Sequence, residues 1–334
     1  MTPSASHTPV NVLTGFLGSG KTTLLQRLLR SPRMVRTAVL INEFGEIGLD
    51  HLLVERVDEA VVLLASGCIC CSIRDDLKAA LLDLLGRRER AEIPCFDRIV
   101  IETTGLADPG PILYTLLGEP VIRHHYRPGN VITTVDAVNA SLHLSRNPEG
   151  IKQVAAADRL VLTKTDLASP EQTAIACDAL ARLNPAATIW RSAQEPMDVD
   201  FLLDATAVAG EPDPSRYRPT QAGRAHAGFV SSFSVVLDRP ADWTAFGLWL
   251  SLLLDRHGDD VLRVKGILDV EGSPAPVFIN GVQHIVHPPQ HFERWPTDDH
   301  RSRIVFITRG IDASRLRRSL EAFCRLRATA DIEA

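Results

Sequence analysis

Up to residue 208 the apolar positions arrive in two alternating rhythms. Short, nearly continuous β-branched runs at Val10–Thr14, Ala38–Asn42, Val61–Leu64, Arg98–Thr103, Val131–Asp136, Leu160–Thr163 and Thr188–Trp190 read as strands. Unbroken apolar runs suit a parallel sheet covered on both faces. Between them the spacing turns helical. Leu24, Leu25, Leu28 and Leu29 share one face, as do Leu77, Leu81, Leu84 and Leu85. The alternation predicts an α/β domain with a doubly wound, mostly parallel sheet over residues 1–208.

The texture then changes. Pro212, Pro214, Pro219 and Gly223 lie among charged and small residues without periodicity, so 209–228 reads as a linker. Beyond it, 229–334 reads as a smaller α+β domain. Phe229, Phe233, Val235 and Leu237 fall on one face of a strand, and a helix from about Ala241 to Arg256 presents Trp243, Phe246, Leu250 and Leu254. Strands follow near Leu262–Val270 and Val277–Val286, with Asn280-Gly281 expected as a turn or bulge. A strand at Arg303–Thr308 then leads into a helix from about Ser314.

Composition narrows the classes. With 334 residues, 45% of them hydrophobic and 23% charged, the chain can bury two cores without disulfide staples. A net charge of -5 gives no global basic surface for nucleic acid. Arg315, Arg317 and Arg318 read as the solvated face of a helix. No apolar run approaches a membrane span, the stretch Leu248–Leu254 stopping at Asp255. The first ten residues do not resemble a secretory signal, so a cytoplasmic protein is expected. Thiols stay reduced there, so the six cysteines are not a disulfide framework. Cys95, Cys177 and Cys324 are scattered and expected to be structural, whereas Cys68, Cys70 and Cys71 form a cluster.

Gly15-Phe16-Leu17-Gly18-Ser19-Gly20-Lys21-Thr22 satisfies G-x-x-x-x-G-K-[ST], and lies between a strand and a helix. Gly15, Gly18 and Gly20 let backbone N–H groups, with those of Ser19 and Thr23, curl around phosphate oxygens at a helix N-terminus. Lys21 is expected to reach the β and γ phosphates, and the Thr22 hydroxyl to coordinate Mg2+. Ile99–Gly105 supplies an apolar strand ending in Glu102, a second Mg2+ element, with Gly105 placed to meet the γ-phosphate. Thr163-Lys164-Thr165-Asp166 follows the next-but-one strand. Asp166 can accept from guanine N1 and N2, Lys164 can lie along the base, and Thr163 stands where GTPases usually carry Asn. Adenine offers no such donor pair, so GTP is the expected nucleotide. Ser192-Ala193 is a weaker candidate for the base edge.

Gly67-Cys68-Ile69-Cys70-Cys71 lies between Lys21 and Glu102. Soft thiolates at close spacing suit Zn2+ or a related transition metal, and two or three sulfurs leave a coordination position open for transfer. Glu43 and Glu46 are candidate additional oxygen ligands. Packing beneath a sheet and Cys68-x-x-Cys71 redox chemistry are the competing readings of the cluster.

The P-loop, Asn42-Glu43-Phe44-Gly45, Gly-Cys-Ile-Cys-Cys, Glu102-Thr103-Thr104-Gly105 and Thr163-Lys164-Thr165-Asp166 occur in one order. In this the chain resembles the CobW-type family of GTPase metallochaperones over essentially its whole length, including, in the C-terminal part, Arg263-Val264-Lys265-Gly266 before a strand. The resemblance implies GTP hydrolysis coupled to delivery of zinc or cobalt to a client metalloprotein. It assigns Lys21 and Thr22 to nucleotide, Asp166 to guanine, and Cys68, Cys70 and Cys71 to metal. The absence of a histidine-rich tract favours zinc over cobalt. Catalysis is expected to rest on Lys21 and on Glu43 or Glu102 orienting water, with slow intrinsic turnover because no arginine finger or catalytic glutamine is evident. A metal buffer or sensor with incidental GTPase activity, and a GTPase whose cysteines are structural, are the alternatives. A homo-oligomer is compatible with the sequence.

Overall fold

The computed structural model describes residues 7–41, 62–65, 73–192, 197–204, 223–224 and 230–330. Cys68, Cys70, Cys71, Glu43, Glu46 and Ala193 lie outside the described residues. Two compact units emerge, Met1–Cys177 with Ala187–Gly210, and Asp178–Ala186 with Glu211–Ala334.

In the first unit the described strands are β1 (Thr8–Gly15), β2 (Thr37–Ile41), β3 (Val62–Ala65), β4 (Arg98–Glu102), β5 (Tyr126–Asp136), β6 (Arg159–Thr163) and β7 (Thr188–Arg191). They form one sheet in the order β3-β2-β4-β1-β5-β6-β7, every pairing parallel. The runs anticipated as strands are these strands, their ends displaced by a few residues. Chain order places β1 centrally, with later strands added on either side of it. The carboxyl ends of β1, β4 and β5 thus border the crevice where α/β sheets bind ligands.

Helices α1 (Lys21–Leu29), α2 (Ile73–Glu89), α3 (Gly110–Gly118), α4 (Pro120–His125), α5 (Ala140–Arg146), α6 (Pro148–Ala156), α7 (Pro170–Leu183) and α8 (Val199–Leu203) connect or follow the strands. Leu24, Leu25 and Leu28 of α1 pack with Leu202 and Leu203 of α8 against Leu13, Val39, Val100, Ile132, Val161 and Trp190. Successive strand residues face opposite ways, so Val10 and Val12, both fully buried, show that the second face is covered too. There Leu77, Leu81, Leu84 and Leu85 of α2 are buried as the spacing predicts. Tyr126 Oη donates to Leu81 O at 3.2 Å, and burial raises its phenol pKa to about 12. The sheet is doubly wound.

The second unit contains an antiparallel sheet of β8 (Gly223–Arg224), β9 (Val230–Leu237), β10 (Val261–Leu268), β11 (Val277–Val282), β12 (Ile285–Val286), β13 (Gln290–His291) and β14 (Ser302–Arg309). Gly223 and Arg224, within the stretch read as a linker, pair with β9. Helices α9 (Trp243–His257) and α10 (Ala313–Ala330) supply Phe246, Trp249, Leu250, Leu254, Leu316 and Leu320 to a core shared with Phe233, Val235, Val264, Ile279 and Phe306.

Four local expectations are corrected. Trp243 is 41% exposed, and Trp249 takes the core position, its indole N–H donating to Ser319 Oγ at 2.9 Å. Asn280-Gly281 lies inside β11, and the turn is Gln283-His284, where Gln283 adopts φ 52° between the paired Val282 and Ile285. Cys95 is exposed, so it fills no core position. Arg263-Val264-Lys265-Gly266, expected before a strand, lies inside the fully buried β10. A Cβ on Gly266 would come within 2.3 Å of Arg303 O. As anticipated, Arg315, Arg317 and Arg318 are exposed on α10.

Candidate functional site

The loop between β1 and α1 is shaped by glycines. Gly15 has φ 143°, and a Cβ there would sit 2.3 Å from Thr134 Oγ1 and 2.5 Å from Thr134 O. Gly18 and Gly20 follow at φ 70° and 90°, conformations that cost other residues free energy. No side chain caps α1 and no acid lies in its first turn. The N–H groups at the start of that helix, those of Lys21, Thr22 and Thr23, therefore present an uncompensated positive end to an anion.

Side chains from β5, β6 and α1 brace this loop. Ser19 is buried, with its Oγ 2.6 Å from Thr134 Oγ1 on β5. Lys21 is also buried, and its Nζ donates to Gly15 O at 3.0 Å and Phe16 O at 3.4 Å, which sets the ammonium across the loop's concave side. Thr163 Oγ1, from β6, donates to Ser19 O at 2.7 Å and reaches Val135 O at 3.1 Å.

β4 contributes the second acidic element. Glu102 pairs in register with Leu13 of β1, is buried, and accepts from Thr22 Oγ1 at 2.9 Å. Thr103 N donates to Leu13 O, and Thr103 Oγ1 to Thr14 Oγ1, both at 2.9 Å, tying the ends of β4 and β1 together. Gly105 then passes so close to the phosphate loop that a Cβ would meet Leu17 N at 2.7 Å. The Gln153 side chain donates to Gly105 O at 3.1 Å and Ala107 O at 3.0 Å.

The segment after β6 is ordered by an acid the sequence reading missed. Lys164 adopts φ 56°, and its Nζ donates to Asp136 Oδ2 at 2.8 Å. Asp136 also accepts from Val138 N at 2.8 Å and Asn139 Nδ2 at 2.9 Å. Burial pushes the Asp136 carboxyl pKa up, but the bonds from Lys164, Asn139 and Val138 outweigh it and hold the group below the usual carboxylate range. Asp166 is exposed beyond this turn, and Ser192 O accepts from Arg27 Nη1 at 3.0 Å. The signal for Asp136 was its place at the end of a strand, like Glu102 before its own loop. Nothing local marks Thr134 or Gln153, because their partners are distant in the chain.

A glycine-rich loop cradled at a helix N-terminus, with its lysine, a threonine–carboxylate pair and a Lys-x-Asp segment, defines a P-loop nucleoside triphosphatase. Residues 9–191 match the CobW/HypB/UreG nucleotide-binding domain, and residues 230–324 match the cobalamin synthesis protein cobW C-terminal domain. The chain belongs to the CobW family and is a GTPase. It is 36% identical over 303 residues to the zinc chaperone YjiA of Escherichia coli, covering 89% of this chain and 93% of that one. It is also 36% identical over 211 residues to zinc-regulated GTPase metalloprotein activator 1 of Schizosaccharomyces pombe, covering 61% of this chain and 50% of that protein. The crystal structure of Zn(II)-bound YjiA GTPase from E. coli superposes with a TM-score of 0.71 at 29% identity, over 95% of this chain and 99% of that one. Among the described residues no helix is long and apolar enough to cross a membrane.

Proposed function

We propose that this protein is a GTP-driven metallochaperone that takes zinc on Cys68, Cys70 and Cys71 and passes it to a client metalloprotein. One observation carries the coupling. Ile41, the last described residue before Glu43, pairs on one side with Ala65, the last before the cysteines, and on the other with Glu102. The chain thus leaves for both segments at the level of the Thr22–Glu102 pair. The names of the relatives, two of them tied to zinc, support the choice of metal.

Lys21, the amides of Gly18 to Thr23 and the start of α1 hold the phosphates, while Asp166 accepts from guanine and Lys164 lies along its face. Thr22 and Glu102 suit Mg2+. The Thr22 hydroxyl would hold Mg2+ directly, and Glu102, hydrogen-bonded to it at 2.9 Å, would hold it through water, hard oxygen donors of the kind this ion takes. When bound, Mg2+ would neutralise charge on the phosphates. Glu102, and Glu43 with it, orient the attacking water. Zinc is cargo, held by soft thiolates and released to the client. Because nucleotide and metal bias the same segments, each alters the affinity of the other by the same factor.

The test is zinc affinity measured with no nucleotide, with GDP and with a non-hydrolysable GTP analogue, for wild type and the triple Cys68, Cys70, Cys71→Ser variant. A nucleotide-dependent affinity lost in the variant is expected. Affinity indifferent to nucleotide makes the protein a metal buffer, and unchanged affinity in the variant moves the metal site elsewhere.

A further inference from the structure

Gln153 is fully buried on α6, beside Val154, Ala155 and Ala156, which are buried too. A primary amide in such a place is costly unless its hydrogens find acceptors. Here both do, at Gly105 O and Ala107 O. Its Oε1 meets no hydrogen-bond partner among the described residues, so the two donors are what the amide contributes. A methionine of similar volume would pack as well and donate nothing.

The two acceptors belong to one turn. Ala107 N donates to Thr104 O at 3.1 Å, closing Thr104–Ala107, the segment that follows Glu102. On its other side this turn abuts Leu17 of the phosphate loop. Gln153 is itself fixed, since Thr133 Oγ1 on β5 donates to its backbone carbonyl at 2.9 Å. The neighbouring Lys152 holds Asp108 at 3.1 Å, and Asp108 accepts from Gly110 N at 2.9 Å at the start of α3. Consecutive α6 residues therefore clamp Gly105, Ala107 and Asp108 against the loop that cradles the phosphates.

We propose that Gln153 is a positioning residue for GTP hydrolysis, fixing the Thr104–Ala107 turn so that Gly105 responds to the γ-phosphate. This rests on the reading of Gly105 as the γ-phosphate contact. Gln153 touches neither nucleotide nor metal; it acts through the turn. Losing its donors leaves GDP binding alone, slows the chemical step, and blunts the distinction between di- and triphosphate.

The experiment uses the full chain with Gln153→Met, Lys152→Met and Gly105→Ala, measuring kcat, KM, thermal stability and the affinities for GDP and GTPγS. For Gln153→Met, kcat and the GTPγS-to-GDP affinity ratio are expected to fall roughly tenfold, the order set by two oriented hydrogen bonds, with GDP affinity unchanged. Lys152→Met, at a half-buried position, should shift both the same way by less, and decides the matter if Gln153→Met does not fold. Wild-type kcat and ratio with only lowered thermal stability would overturn the proposal, as would equal loss of GDP and GTPγS affinity. Gly105→Ala separates the two readings. A ratio retained in that variant sinks the role of Gly105, whereas a ratio lost there but kept in Gln153→Met sinks the role of Gln153 alone.

Discussion

Thr163 Oγ1 donates to the carbonyl of Ser19 across 2.7 Å, joining the segment that precedes Asp166 to the glycine-rich loop between β1 and α1. The threonine that stands in place of the usual asparagine is thus a strut of the phosphate loop. Thr163→Val keeps the shape and removes the donor, leaving buried carbonyls undersatisfied at a cost of about 1–3 kcal/mol. Affinities for GTP and GDP should fall together, with the guanine-over-adenine preference retained. Fluorescent-nucleotide titration checks this, and a selective loss of guanine preference would contradict it.

On the proposed reading Asp166 carries base choice: its carboxylate would accept from two guanine donors, and hydrogen bonds to a charged group contribute about 1.5–3 kcal/mol each. Asp166→Asn should weaken GTP at least tenfold and improve binding of xanthosine triphosphate, whose C2 carbonyl accepts from an amide. Competition titrations of the two nucleotides report the switch. A variant that still prefers GTP would show that the base is read elsewhere.

Asp136 gives a pH signature. Its folded pKa is depressed, so its contribution to stability is complete above the unfolded value near 3.9 and disappears as pH falls through the folded value. Asp136→Asn should cost about 1.5–3 kcal/mol at pH 7. Urea unfolding should show that difference constant from neutrality to about pH 5 and narrowing below about pH 4. A constant gap down to pH 2 would mean that shape, not charge, is what the position supplies. Release of Lys164 should also weaken GTP binding in this variant.

Lys21 and Gly15 separate chemistry from geometry. Lys21→Ala should abolish GTP turnover while leaving the fold, because a short side chain fits the same space; residual wild-type turnover would displace the phosphate site. Gly15→Ala should lower thermal stability as well as nucleotide affinity, since its methyl group would overlap Thr134. Calorimetry on the two variants tells them apart.

Much of the site was legible because each part sits where a strand stops. Lys21 follows β1, Glu102 closes β4 and Lys164 follows β6, and continuous apolar runs announced all three strands. What stayed hidden was long-range. Ser19 meets Thr134 and Gln153 meets Gly105 through packing that no local spacing encodes. In the second unit the spacing of α9 placed Phe246, Leu250 and Leu254 on the core face, where they lie; it included Trp243, which is exposed, and left out Trp249, which is buried. Trp249 packs with Phe246 and Leu250 in the core, whereas Trp243 lies at the first turn, beside the Asp242 cap, and faces outward. Asn280-Gly281 suggested a turn by composition, yet register with β10 keeps both residues in the strand and moves the reversal to Gln283.

Among the described residues β3 is the edge of its sheet, only Val62–Ala65 long and bonded to β2 alone, whereas β1 is bonded on both sides. Short edge strands open at lower free energy than central ones. Amide hydrogen exchange should therefore run faster at Val62–Ala65 than at Val10–Leu13. The edge strand can then open and re-form while the central strand stays closed, which on the proposed reading would let zinc be handed over with the nucleotide site intact.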